Sequence, residues 1–266
     1  MSLKVESLWI YPVKACAGVR VQAAQVGARG FRGDRRWMIV DEKGGHVTQR
    51  EYANMALLRP GLIQGGLRFE NGPDVRPEQT APDIPVTIWG DSVRARPAPQ
   101  LVSAWLSDQI GAPVRLVHMP ETSVRPVDQA YGLTADEVSF ADGFPYLVTT
   151  TASLDVLNGR LDKAVPMLRF RPNVVVSGAS AFEEDTWRRL GVCDAELDIV
   201  KPCARCVVID IDPATGVSAK GVLKEAASFR RVDGKVYFGQ NGIGRVLGSV
   251  WAGGNVEVLE TGSSRP

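Results

Sequence analysis

Short apolar runs, each closed by a turn signal, dominate this chain from one end to the other. That pattern belongs to an all-β barrel or sandwich. Trp37 to Val40 reads as a strand, Asp41 to Gly45 as a turn, and His46 to Gln49 as the returning strand. Asn71-Gly72 and Gly90-Asp91 predict further hairpin turns, because both dipeptides tolerate positive φ. Val86 to Trp89 and Val93 to Arg96 flank the second of them, and further strands are expected at 114–118, 146–149, 173–177, 196–200, 207–211, 235–239 and 256–260. Helical periodicity is scarce. Leu101 to Ile110 puts Leu101, Trp105 and Ile110 near one face, Thr151 to Leu161 opens on capping hydroxyls, and Phe182 to Leu190 allows a short helix. The polar, aperiodic stretch Pro120 to Asp142 separates two β-rich units.

A chain of 266 residues can bury a good core as one large β domain or two smaller ones. Its 31 basic residues against 30 acidic ones leave a formal charge of +1. No broad basic field exists for nucleic acid or a membrane surface, so any anionic ligand must be held by local arginines. No apolar stretch approaches the roughly 20 residues of a membrane span, and Glu6 falls where a signal peptide needs apolar residues. The four cysteines, Cys16, Cys193, Cys203 and Cys206, are too few for a disulfide-stapled fold. The expectation is a cytoplasmic protein with neither a nucleic-acid nor a membrane partner.

Several chemistries lack their residues. His46 and His118 are the only histidines, each alone on a predicted strand, which argues against a histidine-rich zinc site or a Ser-His-Asp triad. Gly242 to Gly248 has the wrong spacing for a dinucleotide loop. The informative stretch is Lys201-Pro-Cys-Ala-Arg-Cys206, set ahead of the apolar run Val207 to Ile211. Cations beside a thiol favour the thiolate, the form that ligates a soft metal. On spacing alone, a lone Cys-x-x-Cys fits a redox dithiol, half a zinc site or two ordinary buried cysteines. Asp212-Pro-Ala-Thr-Gly216 reads first as a tight turn and second as a carboxylate for proton transfer. Lys14 in Tyr11-Pro-Val-Lys14, Arg35 in Gly33-Asp-Arg-Arg-Trp37 and Arg171 in Phe170-Arg-Pro-Asn173 all sit at strand edges beside proline or glycine. Taken together they make a shared anion site credible.

As a set these motifs resemble the MOSC family across nearly the whole chain. Leu8 to Lys14 with Gly33 to Trp37 is similar to the N-terminal β-barrel domain that accompanies MOSC in one branch. Phe170 to Gly178 and Lys201 to Cys206, with Asp212 to Gly216, are similar to the MOSC domain itself. The branch includes the mitochondrial amidoxime-reducing components and bacterial proteins that detoxify N-hydroxylated bases. The resemblance implies a mainly β (α+β) fold with a few short helices, an N-terminal barrel over residues 1–120 and a MOSC domain over 121–262. It implies a molybdenum cofactor (Mo-molybdopterin) between them, with Cys206 as metal ligand and catalytic thiolate. Lys14, Arg35, Arg171, Asn173 and Arg205 match positions that hold the pterin or its phosphate, and Asn241 stands at the cofactor edge where eukaryotic members carry Tyr. Cys203 matches a position without a ligand role, and Ala15 replaces a serine found in some relatives.

The activity so implied is reduction of N-hydroxylated or N-oxygenated small molecules. A separate electron donor (ferredoxin, flavoprotein reductase or cytochrome) is required, because no flavin, haem or iron–sulfur motif is visible. The alternative is a sulfur carrier, or a protein that binds and passes on molybdenum cofactor, using Cys206 without turnover.

Overall fold

The computed structural model describes residues 2–78 and 80–263. Strands dominate it, with three α-helices, as the run lengths predict. The largest sheet has nine strands. Across it run Val256–Thr261, Trp187–Val192, Ala195–Arg205, Lys235–Val246, Tyr146–Thr150, Val174–Ser177, Lys4–Ile10 and Val19–Val21, with Arg231–Val232 paired off Lys235–Val246. All its pairings are antiparallel except that of Tyr146–Thr150 with Val174–Ser177, between which lies the helix Thr151–Asn158. A parallel pair needs such a crossover. Thr150 caps that helix by accepting from the Ser153 amide. The first strand of the chain is therefore built into the same sheet as the last, and Ala23–Gln25 pairs with Ser249–Trp251.

A four-stranded sheet, Trp37–Val40, Arg115–His118, Asp91–Pro97 and Ile84–Ile88, and a three-stranded one, Pro60–Ile63, Gly66–Phe69 and Asp74–Val75, come from the first half. All four residues of Trp37–Val40 are buried. Period two explains how: Trp37 and Ile39 join one apolar cluster with Met55, Phe69 and Leu106, while Met38 and Val40 join another with Val86, Ile88 and Val117. The helix Gln100–Ile110 turns Val102, Leu106 and Ile110 inward and leaves Leu101 exposed, one position round from the predicted face.

Other predictions fail for local reasons. His46 to Gln49 forms no strand; a single bridge joins His46 to Val40 before the chain turns away. The run after Cys206 is a one-turn 3-10 helix, Val207–Asp210, and not a strand. Phe182 to Leu190 gives only the short turn Glu183–Asp185 and then the strand Trp187–Val192.

His118 ends its strand opposite Trp37, with the two rings 4.6 Å apart. Burial, with Arg36 and Arg96 adding repulsion, presses its pKa down to about 4. The folded chain therefore binds fewer protons than the unfolded chain between pH 6.5 and 4. This contribution to stability is complete above pH 6.5 and lost as the pH falls, by about 3 kcal/mol at the acid end. Urea titrations of wild type and His118→Gln across that range should show the slope in the first and a shallower one in the second. Parallel curves would remove His118 as its source.

Candidate functional site

Backbone geometry assembles the site before any side chain does. Tyr11 to Cys16 runs alongside the start of Trp37–Val40: the Lys14 amide donates to the Trp37 carbonyl (2.8 Å), and the Trp37 amide to the Pro12 carbonyl (3.1 Å). The Arg35 amide donates to the Tyr11 carbonyl (2.7 Å) and the Phe140 amide to the Arg35 carbonyl (2.9 Å), which brings the long 120–142 segment to the same place. Arg125, itself buried, fastens that segment by donating to the carbonyls of Ser139, Ala141 and Asp142. Ala15, Arg35 and Arg171 hold φ of +66°, +47° and +55°. Such left-handed backbone at non-glycine residues clusters where the surrounding structure over-determines a functional geometry.

The cleft so formed holds about 980 Å³ of empty space, part of it open to solvent, and Lys14, Arg35, Arg171, Asn173, Arg205, Cys206 and Asn241 all line it. Those seven positions lie as far apart in sequence as residues 14 and 241, yet they share one lining. Arg50, Trp89, Asp142, Arg169 and Cys203 join them. Among the described lining residues, six cations, Lys14, Arg35, Arg50, Arg169, Arg171 and Arg205, face a single carboxylate, Asp142.

Each cation is held differently. Lys14, 6% exposed, donates to the Phe140 carbonyl (3.1 Å) and to Asp142 (2.5 Å). Burial pushes its pKa down and Asp142 pushes back. Arg35 donates to Asp34 (2.6 Å), to the Asn173 side-chain oxygen (2.9 Å) and to the Arg171 carbonyl (3.2 Å). Asp34 is fully buried and also accepts from the Tyr11 amide (2.8 Å). Arg171 donates to the Cys16 carbonyl (2.7 Å), and burial lowers its pKa. The guanidiniums of Arg35 and Arg171 each lie 4.3 Å from the Tyr11 ring centre. Burial raises the Tyr11 phenol to about 12, and its hydroxyl has no hydrogen-bond partner among the described residues. Arg205 spends its fork on the carbonyls of Phe238 and Phe170. Gly239, at φ +73°, follows Phe238; a Cβ there would collide with Thr149 and the Val148 carbonyl.

Asn173 is 1% exposed, and its amide also accepts from the Leu147 N–H and donates to the Trp9 carbonyl. Asn241 donates to the Pro202 carbonyl (3.3 Å). Cys206 caps the 3-10 turn Val207–Asp210 with extended backbone, and a guanidinium nitrogen of Arg50 lies 3.6 Å from its sulfur. That partner is 156 positions away in the chain and carries no motif of its own. Lys201, the sequence neighbour expected to assist, instead puts its ammonium 4.2 Å from the Tyr131 ring. Burial raises the pKa of the Cys203 thiol. Asp212 accepts from the amides of Ala214 (2.8 Å) and Thr215 (3.2 Å) and pairs with Arg169 (3.1 Å). Those amides first, and Arg169 with them, keep its pKa low. It makes the contacts of a tight turn and lies outside the cleft lining.

Among the described residues no group of three or more His, Cys, Asp or Glu could hold a metal ion by itself. No helix among them is long and apolar enough to cross a membrane.

Residues 2–113 match the MOSC N-terminal beta barrel domain and residues 135–258 the MOSC domain. The chain is similar to mitochondrial amidoxime-reducing component 1 of Mus musculus, at 33% identity over 245 residues, covering 86% of this chain and 72% of that protein. The Homo sapiens component 1 is 34% identical over 246 residues with the same coverage. Component 2 of Rattus norvegicus is 34% identical over 250 residues, covering 87% of this chain and 74% of that protein.

Proposed function

The chain belongs to the MOSC family, and from that premise we propose that it reduces N-hydroxylated or N-oxygenated small molecules at a molybdenum cofactor held in the basic cleft. The observation that carries the proposal is the charge of the lining: six cations and one carboxylate, in a chain whose formal charge is only +1. Lys14, Arg35 and Arg169 pair with Asp142, Asp34 and Asp212, but Arg171 and Arg205 have only carbonyl partners among the described residues, and cations buried in that way are costly. An anionic ligand relieves that cost, and a phosphorylated pterin fits the donors present.

Lys14, Arg35 and Arg171 would hold the phosphate and pterin, with charge and fork geometry suited to oxyanions. Asn173 acts as a positioning residue, since its amide is already committed to Arg35 and to backbone. Arg205 fixes the floor through Phe170 and Phe238 while adding charge, and Asn241 lies along the edge. Cys206 offers a sulfur with a guanidinium nitrogen 3.6 Å away, and a cysteine sulfur suits a soft metal. When bound, the cofactor supplies two-electron redox chemistry at molybdenum, with electrons from a donor outside this chain, a ferredoxin, a flavoprotein reductase or a cytochrome.

A second reading, a sulfur carrier or cofactor-transfer protein, is favoured by one observation: the contact of Arg50 with Cys206 would support a persulfide equally well. Metal analysis separates the two. Protein from cells that make molybdenum cofactor should carry about one molybdenum per chain and reduce N-hydroxylated compounds, while Cys206→Ala loses the turnover. Wild-type protein from such cells with no molybdenum, but with labile sulfur, would sink the reductase and support the carrier.

A further inference from the structure

Of the aromatic side chains lining the cleft, Phe140, Tyr146 and Phe170 are buried and Phe144 is partly so. Trp89 differs: it is 43% exposed, so it alone among the described lining aromatics offers substantial ring area to a ligand. It stands at the tip of the hairpin between Ile84–Ile88 and Asp91–Pro97, where only two residues connect the paired positions Ile88 and Asp91. The positive φ, +55°, falls on Trp89 and not on Gly90. In a two-residue loop the first position with positive φ strongly favours glycine, and a bulky side chain there is disfavoured. The chain has its tryptophan and glycine in the order that relaxes the turn least.

What the indole meets suggests why. Its N–H donates to Asp142 (3.3 Å), and the His46 ring abuts it at 4.6 Å. The Arg50 guanidinium rests 5.0 Å from the ring centre, and the Lys14 ammonium 5.6 Å from it. Arg50 also reaches the sulfur of Cys206 (3.6 Å), so ring and thiol are bridged by one exposed side chain. A guanidinium is a planar carbon bearing nitrogen forks, the same shape as an amidine or amidoxime group. In the free protein, then, Trp89 already carries a flat C–N fork next to Cys206.

We propose that Trp89 is a specificity-determining platform, which favours substrates whose N-hydroxyl group is carried on a flat conjugated body, such as an aromatic amidoxime, over small aliphatic hydroxylamines. This rests on the reductase reading above. The substrate displaces Arg50 from the ring and stacks in its place, gaining aromatic contact that an aliphatic hydroxylamine cannot make.

The test uses cofactor-loaded protein as wild type, Trp89→Ala, Trp89→Leu and Trp89→Phe, with benzamidoxime and N-methylhydroxylamine as substrates and reduced methyl viologen as the electron donor. The ratio of their kcat/KM values should fall about tenfold in the alanine and leucine variants, through the KM for benzamidoxime, and recover in the phenylalanine variant. Binding of benzamidine, which is not reduced, should weaken by the same factor in calorimetry, with molybdenum per chain unchanged. A ratio within twofold of wild type in both alanine and leucine variants would overturn the platform. So would loss of molybdenum from those variants, which would make Trp89 part of the cofactor cradle. Should wild-type protein reduce neither compound, the reductase reading fails, and the benzamidine measurement still decides whether Trp89 is a platform for amidines.

Discussion

Arg35→Met is expected to destabilise the protein by about 3–5 kcal/mol, the usual cost of stranding one member of a buried ion pair. The member left behind is Asp34, which has no exposed surface and whose only described charged partner is Arg35 (2.6 Å). Burial already raises the pKa of Asp34 even with Arg35 pulling it down. Without the guanidinium, the carboxylate keeps only neutral partners, the Tyr11 amide and the Asn173 side chain, among the described residues. Methionine isolates the charge effect because backbone strain at φ +47° is shared by any ordinary L residue. The loss should be largest near neutral pH and shrink as the pH falls through the raised pKa of the buried carboxyl, reaching its smallest once the unfolded chain is protonated too, below about pH 4. Asp34→Asn/Arg35→Met should recover part of it, since neither charge then remains. Urea unfolding of cofactor-free protein at pH 7.5 and pH 5 reads all three. An Arg35→Met variant within about 1 kcal/mol of wild type at both pH values would mean that the pair contributes nothing beyond its surroundings.

The same residues show which parts of the site can be read from sequence. Lys14, Arg35 and Arg171 were legible because each is a cation beside proline or glycine at the end of an apolar run. Runs of that kind end where strands end, and strand ends gather at clefts. Arg50 and Trp89 gave no such sign. Arg50 follows a segment that looks like a strand and is not one, because the chain turns at Thr48, whose carbonyl accepts from the Glu51 and Tyr52 amides. Trp89 looked like the last residue of a strand, and its left-handed backbone is invisible to any reading of residue types. Asp142 lay in the aperiodic stretch, and only folding brings it to Lys14 and Trp89.

Secondary structure failed where packing overrode pattern. The apolar run 207–211 is too short to tell a strand from a helical turn. Ile209 drops into the cluster of Phe170, Phe238, Val222 and Ala226, and one 3-10 turn suffices to bury it. The helix Val222–Arg230 went unseen because its inward stripe is Val222, Ala226 and Arg230, and an arginine does not look like core. Arg230 is buried all the same, paired with Asp185 at 2.8 Å. Long-range pairing was likewise hidden: nothing in residues 4–10 announces that Val5 and Leu8 lie against Val174 and Val176.

Lys14→Met should weaken binding of phosphate-bearing ligands by roughly 10- to 100-fold, the factor expected when one charge-assisted hydrogen bond from a buried ammonium is lost. The ammonium is set 3.1 Å from the Phe140 carbonyl and 2.5 Å from Asp142. Asp142 is thus a competitor for the cation that an incoming phosphate needs. Asp142→Asn should therefore act in the opposite direction and tighten the same binding several-fold by leaving the ammonium without its counter-charge. Opposed signs at two touching residues are hard to produce by unfolding, which would weaken both. Inorganic phosphate titrated into cofactor-free protein at low salt reads the pair independently of turnover, and raising the ionic strength should compress both differences. Molybdenum retained after dialysis should rank the three proteins the same way, Asp142→Asn above wild type and Lys14→Met below. If both variants bind phosphate within twofold of wild type, Lys14 does not face the anion, and anion binding must be assigned to the arginines of the cleft.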